Sequence, residues 1–508
     1  MAFIAFVAIA ALPLVAAQSA HAAGSIRAVG TWAMVPQAKD ADGDGFIDGD
    51  GGVPRRGALS LQPSATFVGA GNRIAQPNER LIGGTTSWYL SDRGFPVSLD
   101  ACKSRGDRFR WTVRTSGSVV SRVAWTPLSS KACRQTIFLP EADYQLKLEV
   151  AGHGRRTHVA VPATVSNLLV VALGDSYASG EGNPRNVMAW MEQGGSFTPY
   201  WDDNPCRRST RAAPAQAALA LEQASPTTSV TLVFVACSGA TVNSGILGAQ
   251  AGAQQTVSQL EQATAILGGR AADLVLLSIG GNDVGFTTVL TTCALSANCP
   301  TVHATSGPLA AYGTVQDGVQ GQTAALAGSL DRIAACLGTA SCTLSDGRTV
   351  PGLALSATAR VLPTLYPDIT RASDGQPCSY LTIPQRDFAW ARETILNPAP
   401  PASYAYPLAR GGTVALSVAS GSLNQQIAAS ARIPGWSPVT GTWSASGDTP
   451  GGHGVCAGAD AWVFPFTALS GFTSASFHPN PAGQVVLGRA ITAAATAVTA
   501  GSVSPGRS

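Results

Sequence analysis

Four short polar blocks could do chemistry together: Gly174-Asp175-Ser176, Cys237-Ser238-Gly239-Ala240-Thr241, Gly280-Gly281-Asn282-Asp283 and Phe477-His478-Pro479-Asn480. A serine hydroxyl is a weak nucleophile until a base removes its proton. Acyl transfer through it also needs donors aimed at the oxyanion that develops on the attacked carbonyl. Glycine lets a backbone N–H approach a substrate closely, and asparagine adds a neutral amide donor. Ser176 is therefore the candidate nucleophile, with Ser176 N–H, Gly239 N–H and the Asn282 amide as candidate oxyanion donors. Asp175 and Asp283 adjoin these groups, and their expected task is to hold the two turns by accepting from nearby backbone N–H groups.

The base should be a histidine, and the chain has six. His21 falls in an N-terminal apolar segment, His153 and His158 in a β-rich region, and His303 in a Ser/Thr-rich loop. His478, just before the final helical stretch, is favoured over its competitor His453 in Gly452-His453-Gly454.

The elements that must position these groups are legible as apolar runs. Leu168 to Leu173, Val230 to Ala236 and Leu274 to Ile279 each stop at one of the glycine blocks, and Arg360 to Leu365 is a fourth, less apolar run. Such runs suit parallel strands buried on both faces. Between and after them lie helical stretches: Pro214 to Gln223, Val257 to Leu267, Thr323 to Leu337 and Pro481 to Val498. Alternating strands and helices imply a parallel sheet covered on both sides, and ligands bind such sheets at the carboxyl ends of the strands. Glycine turns that merely end strands would explain each block singly, but not their appearance together in this order.

Taken in order, G-D-S, the C-S-G-A-T turn, G-G-N-D and the late H-P resemble the four blocks of the SGNH (GDSL-type) hydrolases. S-Y-A-S-G-E-G and A-C-S-G-A-T further resemble the secreted lipase and esterase branch. The resemblance covers about Asn167 to Val498. It implies a three-layer α/β/α, flavodoxin-like domain and a serine ester hydrolase that needs no catalytic cofactor. In it Ser176 is the nucleophile, His478 the base, and Ser176, Gly239 and Asn282 form the oxyanion hole. The family's usual Asp three residues before the histidine is Ala475 here. The expectation is a Ser176–His478 dyad with the Ala475 carbonyl accepting from His478 Nδ1–H, and with Asp448 and Asp460 as fallback carboxylates.

Upstream, residues 1–22 read as a signal peptide ending at Ala20-His21-Ala22, which implies a secreted chain. Residues 23–57 hold Asp40, Asp42, Asp44, Phe46 and Asp48, spaced as ligands of a structural Ca2+, against the alternative of a solvated acidic turn. Residues 58–165 read as a small all-β sandwich, in which Leu139-Pro140-Glu141-Ala142-Asp143-Tyr144 before an alternating strand resembles the late hairpin of immunoglobulin-like or PKD-like modules, and residues 166–502 read as the hydrolase domain. The ten cysteines suit export and disulfides. Pairing between neighbours is expected: Cys102–Cys133, Cys206–Cys237, Cys293–Cys299, Cys336–Cys342 and Cys378–Cys456.

The 508-residue chain is 45% hydrophobic and 12% charged, with a net charge of +3 that gives no electrostatic reason to expect nucleic acid or an anionic membrane surface as partner. A monomer acting on a small-molecule, lipid or glycan ester is expected. A carbohydrate deacetylase and a non-enzymatic, calcium-stabilised adhesion protein are the alternatives. Aromatic residues of the long loops (Trp190, Trp201, Trp390, Tyr404, Tyr406, Trp436, Trp443) either line an acyl groove or pack beneath the loops, packing being the safer reading.

Overall fold

The computed structural model describes residues 25–36, 74–75, 94–129, 132–193, 198–447, 452–466 and 472–500. The calcium-type loop, Asp40 to Asp48, lies outside the described residues, as does Asp448. The chain divides into two compact units. The smaller draws on Ser98–Ile137 and Asp143–Thr164 together with residues 25–32, and the larger includes Val165–Ser508.

Among its described residues the smaller unit holds strands and turns, with no helix. Strand β1 (Arg108–Thr115) pairs antiparallel with β2 (Ser118–Arg122) and with β3 (Ala142–Gly152). The first half of β4 (Arg155–Gly174) lies beside β3. Alternation dictates the faces. Phe109, Trp111 and Val113 of β1 and Leu146, Leu148 and Val150 of β3 are fully buried, and the residues between them point the other way.

In the larger unit β4 continues as the centre of a parallel sheet. β5 (Thr228–Phe234) pairs with it on one side and β6 (Ala272–Ser278) on the other, and β7 (Leu355–Pro363) follows β6. Both faces are covered. Leu169, Val171 and Leu173 of β4 share a core with α3 (Gln259–Leu267), α4 (Phe286–Leu295) and α5 (Val315–Ala334). Val170 and Ala172 share the opposite core with α2 (Ala213–Gln223) and α6 (Pro481–Ala500). The continuous apolar runs follow from this double burial. Alanine dominates the facing side of α2, where Ala213, Ala215, Ala217 and Ala218 are all buried.

Register puts the strand ends level. Gly174 stands opposite Ser278, and Cys237 N–H donates to the Gly174 carbonyl at 2.9 Å. The glycine blocks that end β4, β5 and β6 therefore emerge at one edge. Five disulfides join Cys102 to Cys133, Cys206 to Cys237, Cys293 to Cys299, Cys336 to Cys342 and Cys378 to Cys456. No helix among the described residues is long and apolar enough to cross a membrane.

Candidate active site

The turn after β4 is built around Gly174, whose φ of +147° disfavours any side chain. A Cβ there would lie 2.4 Å from the Ser278 carbonyl oxygen. The Gln259 side chain clamps this glycine, accepting from its N–H and donating to its carbonyl, each at 2.8 Å. Ser176 opens the short helix α1 (Ser176–Ser179) and is 8% exposed. At the first helical position its N–H has no intrahelical acceptor.

Asp175 caps α1 by accepting from Tyr177 N–H at 3.0 Å. Its other carboxyl oxygen accepts from the Tyr366 hydroxyl, which in turn accepts from Gly281 N–H at 3.0 Å. Ser278 Oγ adds a donor at 3.3 Å. Burial pushes the Asp175 carboxyl up to about 7 despite these bonds. In the next block Asn282 spends one amide hydrogen on the Ala240 carbonyl at 2.9 Å, leaving the other. Asp283 accepts from Val242 N–H at 3.0 Å, so it ties its turn to the loop after β5 rather than to its own backbone alone. Burial raises it to about 6.

Ser176, Asn282 and His478 line one cavity of about 270 Å³. Its other walls include Phe286, Leu290, Ile369, Leu396, Leu423 and Phe466. Gly239 lies in the turn beyond β5 with φ +81° and is exposed, and it is not among the residues lining this cavity. The long-loop aromatics do not line it either. Trp190, Trp201, Trp390, Tyr406, Trp436 and Trp443 are buried in the cores.

The loop carrying His478 is held from several sides. Tyr177 Oη donates to the Phe477 carbonyl at 2.9 Å, Phe477 N–H to Phe464 O at 2.9 Å, and Phe464 N–H to His478 O at 2.8 Å. Phe477 has φ +62°, a conformation that costs a bulky residue energy and that this bonding maintains. His478 Nε2 faces Glu181 Oε2 at 3.7 Å. Glu181 is 4% exposed and also accepts from Arg207 and from Ser238 Oγ.

One expectation is corrected here. The Ala475 carbonyl does not accept from His478 Nδ1. The turn of Thr473–Ala475 brings the backbone N–H of His478 onto that carbonyl at 3.0 Å, and Nδ1 is buried with no hydrogen-bond partner among the described residues. Asp460 is exposed, and its carbonyl contacts Nδ1 of His453 at 2.7 Å. His453, stacked on Trp462 with ring centroids 3.6 Å apart, is occupied structurally and lies outside the cavity.

Sequence reasoning missed Tyr177, Glu181 and Tyr366 as residues of the site. Glu181 sits within the S-Y-A-S-G-E-G stretch, five residues after Ser176. Tyr366 follows directly on the run Arg360 to Leu365, at the same sheet edge as the glycine blocks. Its place one residue past that apolar run was the available signal.

No family model matches the chain. Over 127 residues, 25% of the chain, it is 39% identical to Lipase 1 of Streptomyces coelicolor and spans 35% of that protein's length. Among solved structures, a carbohydrate acetylesterase from Xanthomonas citri aligns with a TM-score of 0.28 and 10% identity, covering 82% of this chain and 75% of that one. A putative arylesterase from Agrobacterium tumefaciens aligns with a TM-score of 0.27 and 12% identity, covering 65% and 99%. Similarity at this level does not define a shared fold.

Proposed function

We propose that the chain is a serine-dependent carboxylic ester hydrolase of the SGNH (GDSL-type) family, preferring esters with an apolar acyl group. The observation that carries this reading is the shared cavity: Ser176, Asn282 and His478 come from three separate parts of the chain, and the remaining walls are largely hydrocarbon. The local similarity to a lipase points the same way.

In this mechanism Ser176 Oγ attacks the acyl carbonyl as His478 takes its proton. The oxyanion is held by Ser176 N–H, the remaining Asn282 amide hydrogen and Gly239 N–H. Gly239 would have to close on the carbonyl from outside the present cavity wall. Collapse breaks the ester C–O bond, and His478 returns the proton to the leaving alkoxide. Water, deprotonated by His478, then attacks the acyl-enzyme and releases the carboxylic acid and free Ser176. Among the described residues Nδ1 has no hydrogen-bond partner, and the carboxylate of Glu181 stands on the Nε2 side of the ring at 3.7 Å.

The test is hydrolysis of p-nitrophenyl esters from acetate to decanoate by wild type, Ser176→Ala and His478→Ala. Both variants should lose nearly all turnover. Each added methylene that is buried should improve kcat/KM by up to about four-fold, from about 0.8 kcal/mol per CH2. Equal rates on acetate and octanoate, with strong release of acetate from acetylated xylan, would favour the carbohydrate deacetylase instead. No turnover on any ester would leave the adhesion reading.

The same proposal extends to the rest of the chain: export, a monomeric state, an immunoglobulin-like or PKD-like class for the β unit, and a structural Ca2+ at Asp40, Asp42, Asp44, Phe46 and Asp48. The acidic spacing supports the calcium reading. A melting temperature that does not fall on adding a chelator would refute it.

A further inference from the structure

The net charge of +3 averages over two units of opposite sign. Residues 1–32, 98–137 and 143–164, the smaller unit, contain twelve Lys and Arg against four Asp and Glu, whereas the rest of the chain is net acidic. The pairing register shows where these cations stand. On β1 the residues alternating with the buried Phe109, Trp111 and Val113 are Arg108, Arg110, Thr112 and Arg114. Arg110 stands opposite Glu149 and Thr112 opposite Lys147 on β3, and Thr112 opposite Arg122 on β2. The face of this sheet opposite Phe109, Trp111 and Val113 thus gathers Arg108, Arg110, Arg114, Arg122 and Lys147 around a buried Thr112.

Trp125 lies over the same face. The guanidinium groups of Arg108, Arg110 and Arg156 sit 5.2, 4.8 and 5.6 Å from its ring centroid. Two carboxylates share the face. Glu149 is paired with Arg110 at 2.7 Å, and Asp143 accepts from Thr164 Oγ1 at 2.7 Å. The excess of positive charge is therefore not neutralised within the unit. Val119, opposite Arg114 in the register, is 43% exposed.

We propose that this face docks on an anionic lipid surface. Clustered Lys and Arg are drawn to a negatively charged membrane leaflet, and the exposed apolar side chain of Val119 on the same face suits the headgroup boundary. A sugar polyanion would use the cations but give Val119 no partner. The inference rests on the charge and register of this unit and is independent of the ester-hydrolase reading.

The test is co-sedimentation of the full chain with phosphatidylglycerol vesicles and with phosphatidylcholine vesicles. Wild type should bind the first and not the second, and binding should weaken as salt screens the charges. The triple variant Arg108→Gln, Arg122→Gln, Arg156→Gln leaves the Arg110–Glu149 pair intact. It should bind about 100-fold more weakly, at about five-fold per cation. The matching triple variant with lysine at these positions should bind as wild type does, and thermal unfolding of each variant separates lost charge from lost fold. The proposal is overturned if wild type does not bind phosphatidylglycerol vesicles at low salt. It is equally overturned if the folded glutamine variant binds them undiminished, or if the chain binds heparin but no vesicle, which would assign the face to a polyanionic glycan.

Discussion

The hydroxyl of Tyr177 donates to the carbonyl of Phe477 at 2.9 Å, joining the residue after Ser176 to the residue before His478. The two proposed catalytic side chains come from distant parts of the chain, and this bond spans the step between their backbones. Phe477 holds a left-handed φ of +62° where it accepts the bond. Removing the donor would let the loop relax toward an ordinary conformation and carry His478 with it. Tyr177→Phe should lower kcat about ten-fold or more while leaving KM little changed, since misplacement of a catalytic group by even 1 Å can cost about 100-fold. Stopped-flow single-turnover rates on a p-nitrophenyl ester would check it. A variant as fast as wild type would show that the remaining backbone bonds suffice.

Glu181 poses a different question. Its carboxylate lies 3.7 Å from His478 Nε2 and is shared with Arg207 and Ser238 Oγ. If it steadies the imidazole, it acts only through that ring, and its effect must vanish when the ring is gone. Glu181→Gln should lower kcat several-fold, and the double variant Glu181→Gln, His478→Ala should be no slower than His478→Ala alone. The strict non-additivity is the diagnostic. Multiplying losses would mean that Glu181 serves the fold of the turn instead.

Much of this site was legible because strand ends announce themselves. Leu173, Ala236 and Ile279 close apolar runs, and the glycines beyond them mark close backbone approach, as the 2.4 Å clearance at Gly174 shows. The Ala475 expectation did not survive because spacing cannot reveal which donor of His478, backbone or ring, the local turn aims at that carbonyl. Here the backbone N–H of His478 itself takes it. Tyr366 and Glu181 were hidden for a related reason: their roles come from tertiary neighbours far away in sequence. The overall charge concealed the basic face, since a sum over the chain cancels what the strand register segregates.

Tyr366 joins the turn of the proposed nucleophile to that of the proposed oxyanion donor Asn282, donating to Asp175 and accepting from Gly281 N–H. Tyr366→Phe keeps the ring but leaves a buried carboxyl short of a donor and a buried N–H short of an acceptor. Leaving such groups unpaired costs about 1–3 kcal/mol each. The variant should therefore unfold at lower urea concentration, and it should also lose turnover because Asn282 follows Gly281. Unchanged stability would mean that water replaces the hydroxyl.

Asp175 makes a prediction about pH. Its carboxyl ionises at about 7 in the fold, against 3.8 for the ordinary group, with burial as the main cause. Between those values the folded chain holds a proton that the unfolded chain has released. The folded form thus binds more protons at this group, and its contribution to stability falls as pH rises from about 4 to about 7, by up to about 1.4 kcal/mol per pH unit. Asp283, raised to about 6 by its own burial, adds a slope of the same sign over a shorter range. Asp175→Asn removes the first contribution and keeps the second. Its stability carries a constant offset, because an amide meets the Tyr366 hydroxyl differently, but its decline between pH 4 and 7 should be shallower than that of wild type. Urea unfolding midpoints at pH 4.5, 5.5, 6.5 and 7.5 for both proteins measure the difference. A gap that stays constant across those four values would mean that Asp175 is ionised throughout, held charged by its donors against the cost of burial.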